Sequence, residues 1–148
     1  MDNYDIKILQ ALHENARITM KELSQKIHLS QPACAERVKK MEAVGVIRQY
    51  TTVVDWQALG YPLATIVRIR PLPGYLQEVE AILKSMGNIG WSVKVNGDDA
   101  FICLMLIQSV GELDACLSKI SQIATTSTSV IKSSVVDNQF IRPMKSAV

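Results

Sequence analysis

The sequence is poor in several residue types on which particular chemistries depend. Only 5% of its 148 residues are aromatic, while 48% are hydrophobic. Its core must therefore be filled by Leu, Ile, Val and Met, and that apolar mass excludes a disordered chain. Cysteine is scarce: Cys34, Cys103 and Cys116 are scattered, odd in number and form no CxxC pair. This excludes a disulfide framework and a thiolate zinc site, and it points to a reducing cytoplasm. The two histidines, His13 and His28, fall early in the chain, where surface or cap roles are expected. No run approaches the ~18 consecutive apolar residues of a membrane span. Asp2, Asp5 and Glu14 interrupt the N-terminus in a pattern foreign to a secretory leader. No GxGxxG, P-loop, HExxH or Gly-x-Ser-x-Gly motif occurs. The reading is of a non-enzyme with neither cofactor nor metal, in one domain or two small ones.

What charge there is lies unevenly. The formal net charge is only +2, yet residues 16–50 hold seven basic side chains against three acidic ones, a net of +4. From residue 55 onward eight basic and eight acidic residues cancel. The positive charge thus forms one N-terminal block, the place where a polyanion would bind.

That block reads as three short helices. Asp2 is placed to cap the first, in which Ile6, Leu9 and Leu12 recur at helical spacing. Thr19-Met20-Lys21-Glu22 is a capping box opening a second helix with Leu23 and Ile27 facing inward. Ser30 caps the third, whose inner stripe is Cys34, Val38 and Met41; Pro32 sits in the first turn, where its missing N–H costs little. Gly45 follows where a left-handed residue is wanted. Only His28-Leu29-Ser30 separate the second and third helices, the spacing of a helix-turn-helix. A plain three-helix bundle is the alternative.

After Gly45 the period changes. Residues 46–54 are rich in β-branched side chains and predict a strand, and residues 55–60 predict a capped helical turn stopped by Gly60. Beyond a linker at 55–62, Leu63 to Arg70 predicts a strand, and Tyr75 to Met86 a helix. Ile89, Trp91, Val93 and Val95 alternate with wetter residues as in a half-exposed strand. Asn96-Gly97-Asp98-Asp99 is a hairpin turn signal, and Ala100 to Ile107 is an unbroken apolar strand. Leu113, Leu117 and Ile120 mark a second helix, and Ser127 to Val136 a last strand. The class is α+β: a winged-type helix-turn-helix domain over 1–54, then a βαββαβ ferredoxin-like domain over 63–148. Such a sheet carries helices on one face only, so its apolar second face, built on strands 89–96 and 100–107, predicts a sheet-to-sheet dimer.

At this point the chain resembles the leucine-responsive/asparagine-regulator (Lrp/AsnC) family of transcription regulators. The matching residues run from Asp2, Asp5 and Ile8-Leu9 through Ala16-Arg17-Ile18-Thr19, Glu22-Leu23 and Leu29-Ser30. They continue with Arg37-Val38, Met41-Glu42, Gly45-Val46-Ile47, Tyr50 and Leu59-Gly60. In the second half Gly97-Asp98 and Thr126-x-Thr128 match as well. The resemblance implies a DNA-binding domain followed by a ligand-sensing (RAM) domain that dimerises and often builds octamers. It also implies an amino-acid effector, genes of amino-acid metabolism, and a cytoplasmic, nucleoid-associated protein. Two departures stand out. The family carries an acidic residue where this chain has Ala100, which argues against a leucine-like response. Ala33, Cys34 and Ala35 also make the start of the third helix small.

Candidate DNA contacts follow from major-groove geometry. Outward positions of the third helix are Ser30, Gln31, Ala33, Glu36, Arg37 and Lys40. Gln31 suits adenine, Arg37 guanine and Ala33 a thymine methyl. Glu36 either faces away or reads cytosine, and Arg37 has the competing role of pairing with Glu22 or Glu42. Lys21, Lys26, Lys39 and Arg48 suit phosphates. For an effector, the Gly97, Asp98 and Asp99 turn offers amides and carboxylates, and Thr126 and Thr128 offer hydroxyls; a plain hairpin and strand edge is the alternative. Two other functional classes remain. Sirohaem decarboxylases have this architecture with histidines in the second domain, where this chain has none. A vestigial DNA domain on an amino-acid-binding module is opposed by the intact basic block.

Overall fold

Each of the three N-terminal helices begins at a side chain able to satisfy its free amides. The computed structural model describes residues 1–144. In α1 (Asn3–Glu14), Asp2 accepts from the Tyr4 and Asp5 amides at 2.8 and 3.0 Å, and the Asp5 carboxylate accepts from the Asp2 amide at 2.9 Å. In α2 (Met20–Ile27) the expected Thr19/Glu22 box closes at 3.2 and 2.9 Å. Ser30 caps α3 (Gln31–Ala43), accepting from the Ala33 amide at 3.3 Å. His28 ends α2 in the left-handed region at φ 58°, and Gly45 follows α3 at φ 75°. The inner faces meet in a core where Ile8, Leu23 and Cys34 are fully buried, with Leu12, Ile27, Val38 and Met41 around them. Each such aliphatic side chain contributes about 1.5–3 kcal/mol by leaving water.

The expected strand over 46–54 does not form: the chain bends at 46–47 and runs on without a ladder partner among the described residues. β-Branched composition suits a pleated backbone, but a strand exists only when a neighbour takes its hydrogen bonds. Residues 55–60 make the expected single capped turn: Asp55 Oδ1 accepts from the Gln57 amide at 2.9 Å, the Leu59 amide donates to the Asp55 carbonyl at 3.3 Å, and Gly60 ends the turn at φ 89°.

The chain divides into two compact units, Met1–Val53 with the segment from Val136, and Val54–Val135. The sequence reading carries the second domain through residue 148. Instead, the segment from Val136 groups with the first unit, where the Asn138 carbonyl lies 2.5 Å from His13 Nε2 and Phe140 packs on the His13 ring at 5.6 Å. Residues 145–148 lie outside those described.

The second unit follows the order β1 (Leu63–Pro71), α4 (Leu76–Ser85), β2 (Ile89–Lys94), β3 (Phe101–Ile107), α5 (Val110–Ser118), β4 (Ala124–Val130). The sheet order is β2-β3-β1-β4, with antiparallel neighbours throughout, which is the split βαβ arrangement expected. Val67 opposite Cys103, and Thr65 opposite Met105, face α4 and α5, where Val79, Leu83 and Leu113 complete the core. Thr65 survives burial because its hydroxyl donates to the Met105 carbonyl at 3.0 Å. The intervening residues form the other face: Trp91, Val93, Ile102, Leu104 and Ile66, then Arg68 and Arg70 with Ser127 opposite Arg68. β4 begins three residues before the expected Ser127 and stops at Val130. Its limits are those of its partner, since Ala124 pairs with Pro71 and Val130 with Thr65.

Candidate nucleic-acid interface and effector turn

The three-residue reach between α2 and α3 leaves one side of α3 against the core and the other in solvent. Gln31, Glu36, Lys39 and Lys40 are exposed, and Ala33 is half-buried. Glu36 lies one helical turn before Lys39 and Lys40, so the exposed face is cationic with one acidic residue at its edge. Ser30 is exposed too, with its oxygen already engaged as the cap. Lys21 is exposed at the start of α2, and Arg48 just after α3. Lys26 pairs with Glu14 at 2.5 Å, both side chains half-exposed. Such a pair is weak in water and leaves the lysine free to exchange partners.

Arg37 behaves differently from the other candidates. Its Nη1 donates to Asp2 Oδ2 and to Asp5 Oδ1, each at 2.7 Å, and its guanidinium lies 5.6 Å from the Tyr4 ring. The competing structural role is thus filled, but by α1 carboxylates rather than by Glu22 or Glu42. Asp2 consequently caps α1 with one oxygen and holds α3 with the other. The Asp5 amide, then Arg37, keep the Asp2 carboxyl below its ordinary value, and Asp5 and Asp2 push the Arg37 guanidinium up from its own. Acidic residues at the start of α1 were the available signal, masked because they lie 32 and 35 positions from Arg37. Tyr50 was also missed. Its hydroxyl donates to Glu42 at 2.8 Å, and burial together with that carboxylate pushes it up to about 12.

In the second unit the Gly97–Asp99 turn closes as a hairpin: Gly97 takes φ 123°, and the Val95 amide donates to the Ala100 carbonyl at 3.0 Å. The Ala100 amide donates in turn to the Ile69 carbonyl at 3.0 Å. Arg70 Nη2 lies 3.7 Å from Asp98 and 3.9 Å from Asp99, ion pairs too long to be direct hydrogen bonds. Asp98 is 92% exposed. Thr126 stands opposite Ile69 and Thr128 opposite Val67, so both point to the helix-bearing side. β1 intervenes between the turn and these threonines, a separation of roughly 10 Å for two strand spacings. One chain therefore does not bring Asp98 and Thr128 together.

Comparison with known proteins fits this geometry. Residues 1–48 match the winged helix-turn-helix DNA-binding family. The HTH-type transcriptional regulator LrpC of Bacillus subtilis is 30% identical over 135 residues, covering 91% of this chain and 94% of that protein. The chain belongs to the Lrp/AsnC family. It is a helix-turn-helix transcription regulator of that type, and both the winged domain and the four-stranded α+β domain are those of the family. The leucine-responsive regulatory protein of Haemophilus influenzae is 31% identical over 148 residues, 95% of this chain and 89% of that one. The solved structure of B. subtilis LrpC superposes with a TM-score of 0.86, covering 92% of this chain and 97% of that one. A feast or famine regulatory protein from M. tuberculosis, complexed with L-methionine, gives 0.86 at 25% identity, covering 96% and 99%. Relatives named as transcription regulators are consistent with a non-enzymatic role. No helix among the described residues is long and apolar enough to cross a membrane.

Proposed function

We propose that the chain reads duplex DNA with the exposed face of α3, Gln31, Ala33, Glu36 and Lys40 meeting base edges. Lys21, Lys26, Lys39 and Arg48 meet phosphates, and the capped start of α3 adds its own amides. Arg37 acts as the positioning residue that fixes the tilt of α3 against α1. The observation that carries this is the pair of capped helices across the His28-Leu29-Ser30 turn, with Lys39 and Lys40 exposed beside an anchored Arg37. With so few base readers, affinity comes mainly from charge and dimer symmetry, and the sites are A·T-rich and roughly palindromic.

A second copy of the chain covers the open sheet face carrying Trp91, Val93, Ile102 and Leu104, and dimers pair further into an octamer. The further pairing of dimers, rather than the open-face contact, supplies Thr126 and Thr128 of one copy to the Gly97, Asp98 and Asp99 turn of another, where a small amino acid would sit. The solved relative with L-methionine supports an effector of that class. The DNA-binding domain runs over 1–54 and the effector and oligomerisation domain begins at 63, after a linker at 55–62, and the protein works in the cytoplasm, at the nucleoid.

The test is DNA-binding anisotropy across a salt series. Lys39→Ala should weaken all sequences and flatten the log–log salt slope by about one, for its one phosphate contact. An unchanged slope overturns the α3 assignment. Light scattering should give no stable monomer at micromolar concentration.

A further inference from the structure

A cavity of about 320 Å³ opens between α4 and the edge strand β2, in a part of the second unit that neither the DNA face nor the 97–99 turn uses. Its floor is apolar, made by Leu83 and Met86 from α4 and its end, and by Ile89 and Phe101 from the sheet. Its rim is charged. Glu80 and Lys84 stand one turn apart on α4, and Lys94 reaches across from β2. Glu80 ties the rim together: Oε1 accepts from Lys84 Nζ at 2.8 Å, and Oε2 accepts from Lys94 Nζ. Held by Lys84 and then Lys94, the Glu80 carboxyl is pulled down to about 2 and stays ionised. Lys94 also lies 5.9 Å over the Phe101 ring, at the junction of rim and floor.

A lysine on an edge strand blunts strand-to-strand aggregation, and that accounts for Lys94 being charged. It does not account for the tether to Glu80 or for the apolar hollow behind it. Two ammonium groups against one carboxylate leave the rim with one uncompensated positive charge. Each ammonium carries three donors, and each uses one on Glu80, so both can still serve a second acceptor. The volume is at the small end of the roughly 300–1,000 Å³ of ligand pockets, which limits an occupant to a few carbons beyond its charged head.

We propose that this cavity binds a small aliphatic monocarboxylate, its carboxylate shared between Lys84 Nζ and Lys94 Nζ and its tail laid on Leu83, Met86 and Phe101. Short-chain acids, 2-oxo acids and aliphatic amino acids share this chemistry. An α-ammonium would enter beside two lysines with Glu80 as its acceptor, so the oxo acid binds at least as well as the amino acid. The site is independent of the 97–99 turn and stands whether or not that turn takes an effector.

Calorimetric titration of the full-length protein with α-ketoisocaproate, L-leucine and isoamylamine tests it. Saturable binding of α-ketoisocaproate, one per chain, is expected, with none for the amine. Lys94→Gln should weaken it by about tenfold or more, the loss of one charge-assisted contact. Ser92→Tyr, at an exposed strand position in the cavity wall, should block it without disturbing the core. Asp98→Asn, in the separate effector turn, should leave it intact. That combined pattern supports the site. Absence of saturable oxo-acid binding, binding that survives both Lys94→Gln and Ser92→Tyr, or binding lost only in Asp98→Asn overturns it. The last outcome would at the same time favour the effector turn.

Discussion

The two units of this chain are held by different means. In the second, long aliphatic side chains from a four-stranded sheet and two helices fill the interior, and Thr65 is its only buried polar side chain among the described residues. In the first, a smaller core is supplemented by polar fasteners at the helix ends: the Asp2/Asp5 box, the Thr19/Glu22 box, Ser30 and the Arg37 clamp. A small helical unit has too little interior to rely on burial alone, so local polar chemistry sets where its helices begin and how α3 lies on α1. The DNA-binding unit should be the one that yields first to core deletion, cap removal and acid.

Ile8→Ala should break this balance most severely. Ile8 is fully buried, and its truncation should remove about 2–5 kcal/mol, enough to melt the first unit. Both tryptophans, Trp56 and Trp91, lie in the second unit. Tryptophan emission should therefore keep its wild-type transition while circular dichroism shows early helix loss. Coincident transitions in the two signals would show that the units do not unfold separately.

Thr19→Ala comes next. It deletes one half of a capping box at an exposed position and should cost about 1 kcal/mol, again visible in dichroism and not in tryptophan emission. Smaller still is Arg37→Lys, which keeps the charge but cannot reproduce one planar head shared by Asp2 and Asp5. The first unit's melting midpoint should fall slightly while the salt slope of DNA binding stays unchanged; a changed slope would make Arg37 a phosphate ligand instead.

Acid gives the finest discrimination. Asp2, Glu14 and Glu22 are all depressed below their ordinary values of 3.8, 4.5 and 4.5, the first two helped by Arg37 and Lys26, the last by the Thr19 amide. Groups with lowered folded values contribute stability above their unfolded values and lose it as pH falls through the folded ones. Helix signal should thus decline below about pH 4, ahead of the tryptophan signal. Glu80, ordinarily 4.5 and here about 2, makes the same kind of contribution to the second unit. Glu80→Gln should flatten only the tryptophan-detected dependence between those two values.

The helix starts were legible because a cap is a local event, settled within three residues by Asp2, Thr19 or Ser30. The ferredoxin-like order was legible because period two and period three-point-six patterns alternate cleanly from Leu63 onward. What escaped was whatever depends on distant partners. Residues 46–54 have strand composition and no strand beside them. β4 starts earlier and stops sooner than its composition suggests, because its limits are set by its register with β1. Arg37 chose carboxylates on α1 over Glu22 and Glu42, which are nearer in sequence, because α1 crosses α3 in space. At the Gly97–Asp99 turn the hairpin was legible but the grouping of the candidate residues was not, since β1 separates Asp98 from Thr128.

The placement of sulfur adds an internal clock. Cys34 lies in the first core and Cys103 in the second, both fully buried. Burial raises the Cys34 thiol and pushes Cys103 up to about 11, so neither supplies thiolate to a reagent while its unit stays closed. Each half of the regulator thereby carries its own latent tag. With half-buried Cys116 replaced by serine, the rates at which an alkylating agent claims the two remaining sulfurs would time the opening of the DNA-reading half and the sensing half separately, in the same tube and on unlabelled protein.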